Sequence, residues 1–313
     1  MKLNQKSASW LLVLAALMWG SSFTASKICI NSGMREFEIV FDRFFLGSIV
    51  TWAVFHKKLR RPTRTAVRTG VALGLLTSLT FTLEMFGLAM TQTTKAAFLT
   101  STNIVMMPFL YYLFCRVRPG VHSLIAAGMT MAGVGVLSLS GAVGGFAAGD
   151  VLLLLDALTY ALNSLIMVMI GGDDSPVQIS FFQFVTTAAV MGVLTCVQGT
   201  GGSYPPAAVA AVLYQALIPT VVCFLIKNIT IQYLNPVRCT LILSLESVFC
   251  ALVSALMLHD VVTPRMLGGI VLIFSGVLVE VLRPSLRRRP RRTAAKSGEM
   301  VETSPLPDRG DGS

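Results

Sequence analysis

The chain has 313 residues, of which 54% are apolar and only 13% are charged, and its mean hydropathy is +0.72. A soluble domain carries roughly twice that share of charged residues, because its surface faces water. The composition therefore excludes an ordinary soluble domain and indicates a polytopic membrane protein.

Apolar runs of about 20 residues recur along the chain, and each is long enough to cross a hydrocarbon core of about 30 Å. The first run follows Lys2 and Lys6, but it is too long for a signal peptide and lacks a clear small-residue cleavage site. In chain order, the predicted spans one to ten cover residues 8–28, 37–56, 67–90, 94–115, 121–141, 150–170, 176–196, 207–232, 236–258 and 264–283.

The second half of the chain resembles the first at an offset of 143 residues. Residues 77–139 lie over 220–282 with ten identities in 63 positions, and turns and polar positions fall in register. Two copies with five spans each must cross the membrane in opposite orientations, as in many secondary transporters. We predict an all-α polytopic membrane protein of ten transmembrane helices, as two inverted five-helix repeats over 1–145 and 146–285, with a disordered basic cytoplasmic tail over 286–313.

Lysine and arginine residues predict the orientation. Most of the 25 fall at the same predicted side as the N-terminus, in residues 57–68, at Arg116 and Arg118, and in the tail. The positive-inside rule then places both termini in the cytoplasm. This topology accounts for the net charge of +10, so the lipid bilayer and not a nucleic acid is the expected partner. The compact size and short loops suit a bacterial inner (plasma) membrane.

Glycines in the fifth and tenth spans, among them Gly133 and Gly276, favour close helix packing. We expect these two spans to pack against each other and not to form a homodimer seam. The expected state is therefore a monomer.

Several short motifs resemble the EamA-type branch of the drug/metabolite transporter superfamily. They are Met18-Trp19-Gly20-Ser21-Ser22-Phe23, Asp42-Arg43-Phe44-Phe45-Leu46, Thr94-Lys95-Ala96-Ala97-Phe98-Leu99-Thr100 with Pro108, and Ser244-Leu245-Glu246-Ser247-Val248-Phe249. The small-residue runs Gly133-Val134-Gly135-Val136 and Ser275-Gly276-Val277-Leu278 also fit, and the likeness covers roughly residues 8–283. One departure is that Tyr160-Ala161 stand where the repeat would place a second Trp-Gly pair.

The resemblance implies ten helices around a central cavity lined by spans one, three, four, six, eight and nine. It also implies movement of small metabolites without ATP, and it favours export. The chain agrees on ATP, because it contains no GxxxxGK[ST] phosphate-binding loop.

Ionisable groups inside a span cost about 2.5–3.5 kcal/mol each on insertion scales, so they need a partner or a water-filled cavity. The candidates are Arg43, Glu84, Asp156, Lys227 and Glu246. Under the repeat offset, the equivalent of Glu246 is Asn103, which is a further candidate for the cavity wall.

Lys227 and Glu246 flank the Asn235-Pro236 turn on consecutive spans, with an axial offset of about 4–5 Å if both spans are regular helices. We predict that they pair near mid-membrane and line the cavity. The pair would either hold the two ends of a zwitterion, such as an amino acid, or only neutralise two buried charges.

In the first half, Glu84 and Asn103 hold the positions equivalent to Lys227 and Glu246, so this half has no lysine at the corresponding place. Glu84 either reaches Arg43 or lacks a firm partner, while Arg43 itself is expected at the lipid headgroups or beside Asp42. A carboxyl group without a partner holds a proton readily, because desolvation disfavours the carboxylate. Glu84 is therefore a candidate carrier for proton-coupled transport.

Four further side chains fall in the middle of spans one and six, namely Trp19, Ser22, Tyr160 and Asn163. They offer an aromatic wall and hydrogen bonds to a substrate. For Trp19, helix packing is the alternative role. Pro108 and Pro219 lie inside spans, should kink them, and are candidate hinges for alternating access.

The sequence thus predicts a secondary transporter, favoured as an exporter, that moves a small organic metabolite by alternating access. The alternative is a non-transporting membrane scaffold or sensor. An enzyme is not expected, because no HExxH motif, nucleophile elbow or paired acidic metal motif is present. No metal and no cofactor is expected, and the six cysteines show no paired spacing.

Overall fold

The fold is a helical bundle, as seen in a computed structural model that describes residues 4–138, 147–170, 174–201, 204–234, 236–257 and 264–282. All regular secondary structure within these ranges is helical. The helices are α1 (Gln5–Asn31), α2 (Glu36–Leu59), α3 (Arg64–Ala89), α4 (Thr93–Thr100), α5 (Asn103–Cys115), α6 (Val121–Ser138), α7 (Ala148–Ile170), α8 (Pro176–Gln198), α9 (Pro206–Gln215), α10 (Cys223–Thr230), α11 (Pro236–Leu243), α12 (Leu245–Met257) and α13 (Pro264–Leu282).

Eight stretches of helix are long and apolar enough to cross a membrane, in agreement with an all-α polytopic membrane protein. They are α1, α2, α3, α4 with α5, α7, α8, α9 with α10, and α11 with α12. The predicted fifth and tenth spans correspond to α6 and α13, which contain shorter apolar stretches, Val121–Gly133 and Leu267–Val279.

Three of the long stretches are each divided into two α-helices. Residues Ala216–Val222, between α9 and α10, form a π-helical segment that contains Pro219. Proline removes a backbone donor and clashes with the preceding turn, which accounts for the irregular winding there. The other two stretches are interrupted at Ser101–Thr102, between α4 and α5, and at Ser244, between α11 and α12.

Hydroxyl groups satisfy backbone carbonyls at both interruptions. Ser101 Oγ donates to the carbonyl of Ala97 at 2.8 Å, and Ser244 Oγ donates to that of Leu241 at 2.6 Å. Serine and threonine compete with the helical ladder in this way and bend helices inside membranes. Ser101 and Ser244 are equivalent positions under the offset of 143 residues. Each half of the chain therefore has a helix interruption at the equivalent position.

The connections between helices gather at two ends of the bundle. At one end the α1–α2 turn meets the α8–α9 connection, where Glu38 accepts hydrogen bonds from the backbone N–H of Gly201 and from the Tyr204 hydroxyl. The bond to Glu38 raises the pKa of Tyr204 to about 12. At the other end Gln178 donates to the carbonyls of Lys58 and Arg61, on the α2–α3 side. Successive connections therefore lie at opposite ends of the bundle, as is typical of a chain that crosses a membrane repeatedly.

Glycines bring α6 and α13 together, as predicted for the fifth and tenth spans. A Cβ atom at Gly133 would lie 2.7 Å from the carbonyl oxygen of Gly269, and one at Gly276 would lie 2.8 Å from that of Ala126. Both distances are too short for a real side chain, so only glycine permits this approach of the two backbones. Gly128, on the same α6, has nothing within 4 Å of a Cβ atom.

We expect Gly133→Ala to lower the stability of the protein, whereas Gly128→Ala does not. Overpacking at a closed helix contact costs about 1–3 kcal/mol, while a Cβ atom at the open position meets no neighbour. The measurement is the midpoint of thermal unfolding in detergent, followed by the loss of the monodisperse peak in size-exclusion chromatography. Equal midpoints for the two variants would contradict this packing.

Candidate functional site

A small cavity of about 50 Å³ lies inside the bundle among helices from both halves of the chain. Its volume holds a few water molecules, since one water needs about 10–15 Å³ of such space. Its lining residues are Trp19, Ser22, Phe23, Arg43, Thr80, Phe81, Glu84, Thr100, Asn103, Asp156, Tyr160, Phe224 and Glu246. Six of the eight predicted cavity residues are therefore brought together, and Asn163 and Lys227 are not among the lining side chains.

The two interrupted spans deliver polar groups to this cavity. Asn103 follows the interruption at Ser101–Thr102, and Glu246 follows the interruption at Ser244. Irregular backbone at membrane depth occurs only where it is buried in protein or lines a cavity, and paired interruptions in two halves point to a binding site. The backbone geometry and the position of the polar side chains thus indicate the same place.

Trp19 forms one wall and is fixed from behind. Its indole Nε1–H donates a hydrogen bond of 2.7 Å to the carbonyl of Pro219, in the π-helical segment. Its ring meets those of Phe224 and Tyr160 edge-on, at centroid distances of 5.4 and 6.2 Å. Trp19 therefore packs α1 against its neighbours and also lines the cavity.

The structure corrects the expected position of Arg43. The side chain is 2% exposed and does not lie at the bundle surface, where the lipid headgroups would be. Nε donates to Thr220 Oγ1 at 2.6 Å and Nη1 donates to Gln215 Oε1 at 3.3 Å. The guanidinium carbon lies 4.7 Å from the centroid of the Phe81 ring. An arginine stem is long enough to place its charge inside the bundle when hydrogen-bond acceptors and an aromatic face are available there.

Three carboxyl groups share the cavity with Arg43: those of Glu84 on α3, Asp156 on α7 and Glu246 on α12. Within the described parts of the chain, none of them forms an ion pair, and Arg43 is therefore not bonded directly to Glu84. Asp156 is 2% exposed, and its Oδ1 atom has no hydrogen-bond partner. The cavity thus contains carboxyl groups that the fold leaves available.

The predicted ion pair between Lys227 and Glu246 is wrong. Lys227 is 1% exposed, and its Nζ donates to Asn163 Oδ1 at 3.1 Å and lies 4.6 Å from the centroid of the Tyr160 ring. The prediction assumed that consecutive spans are neighbours at this depth. Helix α1 packs against both α10 and α12, and a Cβ atom at Gly20 would lie only 2.6 Å from the carbonyl oxygen of Glu246.

A chain of buried amides and hydroxyls continues from Lys227 into the bundle. Asn163 Nδ2 donates to Thr77 Oγ1 at 3.0 Å, and Gln183 Nε2 donates to the same oxygen at 2.7 Å. Asn228 Nδ2 then donates to Gln183 Oε1 at 3.4 Å and to Ser180 Oγ at 2.8 Å. This network satisfies the polar groups that connect α3, α7, α8 and α10 behind the cavity.

Lysine contacts close the end of the bundle that holds the α1–α2 turn. Lys95 on α4 forms an ion pair of 2.8 Å with Asp150 on α7. Lys27 on α1 donates to the carbonyls of Leu88 and Thr91 at 2.8 and 3.0 Å, where α3 ends. These bonds join four helices that border the cavity.

Sequence reasoning did not assign a site role to Arg43 or Asp156, although both were recognised as ionisable groups within spans. The available signal was the high cost of any charge at membrane depth, which makes each such residue a candidate for a site. Pro108 and Pro219 do not line the cavity. Pro219 lies in the π-helical segment, whereas the interruption nearest to Pro108 precedes it by almost two turns.

Comparisons with known proteins point to a family of transporters. The model of the EamA-like transporter family matches residues 6–139 and 147–282. A curated protein from Archaeoglobus fulgidus named "Uncharacterized transporter" is 28% identical over 272 residues, which cover 87% of this chain and 85% of that protein. A solved structure described only as "Crystal structure of protein" has the same fold, with a TM-score of 0.74, 17% identity, and coverage of 88% of this chain and 96% of the other.

We expect Asn163→Leu to destabilise the protein mainly through Lys227. The substitution removes the acceptor of a buried ammonium group, and an unsatisfied buried polar group costs about 1–3 kcal/mol, more when it is charged. In a Lys227→Met background the same substitution should cost less, because no charge remains unpaired. The measurement is a double-mutant cycle on thermal unfolding in detergent.

The matched cycle combines Lys227→Met with Glu246→Gln. Its coupling energy should be the smaller of the two. A larger coupling between Lys227 and Glu246 than between Lys227 and Asn163 would contradict the observed hydrogen bonding.

Proposed function

The chain belongs to the EamA-like transporter family, and from this premise we propose that it is a secondary transporter that moves a small organic metabolite by alternating access through the central cavity. The observation that carries the proposal is the cavity itself, in which ionisable side chains from α2, α3, α7 and α12 converge inside an apolar bundle. Charged groups at membrane depth typically mark substrate or ion pathways.

The binding residues that we propose are the eight predicted ones together with Arg43 and Asp156. Trp19, Ser22, Glu84, Asn103, Tyr160 and Glu246 contact the substrate directly, since they line the cavity. Asn163 and Lys227 act from behind, because Lys227 holds the Tyr160 ring by its cation–π contact and Asn163 holds Lys227. The aromatic rings supply apolar contact area and the polar groups supply orientation.

Ten membrane-spanning helices in two inverted repeats, 1–145 and 146–285, are the architecture that we propose. Three observations support it: two successive matches to one family model, interruptions at the equivalent Ser101 and Ser244, and a repeated pattern of helix contacts. In that pattern α1 packs on α9, α10 and α12, and α7 packs on α3, α4 and α5; α2 pairs with α8 and α6 with α13. An odd number of spans per repeat would invert the second copy.

Alternating access requires that the bonds closing the two ends of the bundle break in turn. The Lys95–Asp150 ion pair and the hydrogen bonds from Gly201 and Tyr204 to Glu38 close one end. The hydrogen bonds of Gln178 close the other end. The π-helical segment at Pro219 and the helix that contains Pro108 are the hinges that we propose, because a proline leaves backbone groups free to change partners. Export as the direction, a monomer as the working unit and a bacterial inner membrane as the location complete the proposal.

Proton coupling through Glu84 is a further part of the proposal. Glu84 lines the same cavity as Arg43, Asp156 and Glu246, so its protonation changes the charge that the substrate meets. A proton and a substrate that compete for one set of carboxyl groups would move in opposite directions.

We expect purified protein in lipid vesicles to catalyse counterflow of a labelled metabolite from a mixed panel, and an imposed pH gradient to drive its accumulation. Glu84→Gln should retain counterflow but lose the response to the gradient, because glutamine cannot exchange a proton. Glu36→Gln is the matched control, since Glu36 contacts Gln198 at the end of the bundle and does not line the cavity.

If Glu84→Gln accumulates substrate with the full dependence on the pH gradient, Glu84 is not the proton carrier. If no counterflow is seen with cationic, zwitterionic and anionic compounds, a non-transporting membrane scaffold or sensor becomes the better explanation.

We expect single cysteines at alternate connections to react differently with a membrane-impermeant maleimide in intact cells. In a background without the six natural cysteines, Ser32→Cys and Gln92→Cys should be labelled from outside. Gly120→Cys and Gln232→Cys should be labelled only after lysis, as should a cysteine in the tail. Termini on opposite faces, or an even number of crossings per repeat, would contradict the ten-span inverted architecture.

A further inference from the structure

We infer that the substrate of this cavity carries a net positive charge and is a small organic amine, not an anion or a zwitterion. The inference rests on the proposed transport function and adds the charge class of the substrate to it. It departs from the amino-acid-like zwitterion that the sequence suggested, because the lysine meant to hold the carboxylate end is outside the cavity lining.

The charges around the cavity are unbalanced. Glu84, Asp156 and Glu246 supply three carboxyl groups to the lining, and Arg43 supplies the single cationic group among the described lining residues. Lys227, behind Tyr160, adds a second cation nearby. With all five groups ionised, the carboxylates outnumber the cations by one, and one ammonium group on a substrate would balance them.

One carboxyl group of the lining also lacks a hydrogen-bond donor. Arg43 already donates to Thr220 and Gln215, and its face is covered by Phe81. Asp156 is only 2% exposed and lines the cavity, and its Oδ1 atom has no hydrogen-bond donor. A buried acceptor without a donor is costly, and an ammonium group offers up to three donors at short range.

Aromatic rings complete a site of this kind. Trp19, Tyr160, Phe81 and Phe224 all line the cavity. Indole is the best aromatic partner for a cation, and among the described contacts Trp19 carries no cation on its ring. The rings also accept the apolar body of an organic amine, which a bare metal cation does not have.

A carboxylate on the substrate would oppose this arrangement. It would enter a space that already holds three carboxyl groups, where Arg43 is the single cationic group among the described lining residues. Affinity should therefore fall in the order cation, zwitterion, anion for molecules of the same apolar shape.

Three compounds with one isobutyl group isolate the charge. They are 3-methylbutylamine (net charge of about +1), leucine (about 0) and 4-methylpentanoate (about −1) at neutral pH. Binding is measured by quenching of Trp19 fluorescence in the full-length protein in detergent, in a Trp10→Phe, Trp52→Phe background. Trp10 and Trp52 are 73% and 58% exposed on the outside of the bundle, so Trp19 remains as the single tryptophan of the three.

The expected result is saturable quenching by 3-methylbutylamine, with affinity about tenfold or more above that of leucine and no saturable quenching by 4-methylpentanoate. Asp156→Asn and Glu246→Gln should each weaken amine binding about tenfold. Asp156→Glu, which keeps the carboxyl group, should retain amine binding, and Glu36→Gln should leave it unchanged. Each variant is checked for a monodisperse peak and an unchanged unfolding midpoint.

Tighter binding of leucine or 4-methylpentanoate than of the amine would overturn the inference, as would equal quenching by sodium ions or no saturable quenching by methylamine, 3-methylbutylamine or phenethylamine. The transport proposal fails separately. If the amine binds as expected but shows no counterflow in vesicles, the charge class stands and transport does not. If an anion or a zwitterion shows counterflow that the amine does not inhibit, transport stands and the charge class does not.

Discussion

The cost of placing ionisable groups inside an apolar bundle is the constraint on which the rest of the structure depends. No water in the hydrocarbon core satisfies such groups, so each one needs a partner from the protein or a cavity. The bundle uses both solutions. Arg43 and Lys227 have hydrogen-bond partners and aromatic faces, whereas Glu84, Asp156 and Glu246 share the cavity. The cations are fixed by the fold, and the carboxyl groups are left for whatever enters the cavity.

Helix packing places these groups where a continuous bundle of regular helices could not. Gly20 lets α1 approach the backbone of α12 directly beside Glu246, and the same approach separates α10 from α12. The interruptions at Ser101 and Ser244 turn the following residues, Asn103 and Glu246, toward the cavity. Each interruption is tolerated because serine hydroxyls take up the freed carbonyls. Close approach and local irregularity therefore act together to build one polar space.

Sequence reasoning reached the helical class and the family, and six of its eight candidate side chains line the cavity, because hydropathy and charge at membrane depth are strong one-dimensional signals. It failed where the answer depends on which helices are neighbours in space. Lys227 and Glu246 are on consecutive spans and at similar depth, but α1 lies between those spans, and Lys227 turns to Asn163 instead. The depth of Arg43 near a span end is compatible with the lipid headgroups or with a position beside Asp42, and only the structure supplies Thr220, Gln215 and Phe81 as its partners. The interruption at Ser244 also could not be read from an apolar run.

The two ends of the bundle are closed by bonds of different character, and this difference bears on how such a protein would move. The end with the α1–α2 turn is held by charged groups: the Lys95–Asp150 ion pair, the Lys27 ammonium and the Glu38 carboxyl group. The other end is held by amide contacts from Gln178 to backbone carbonyls and by the Thr63 hydroxyl, which donates to the Asp174 carboxyl group. The Lys95–Asp150 ion pair is largely buried, with Asp150 1% exposed, so salt screens it little and a nearby charge changes its energy. Amide contacts to backbone carbonyls depend less on a nearby charge. Lys95 and Asp150 lie on α4 and α7, the helices that also carry the cavity residues Thr100 and Asp156. A charged substrate in the cavity would therefore change the energy of the bonds at the α1–α2 end more than that of the bonds at the other end. Coupling between the charge in the cavity and the opening of one end then follows from electrostatics along two helices, without a separate signalling element.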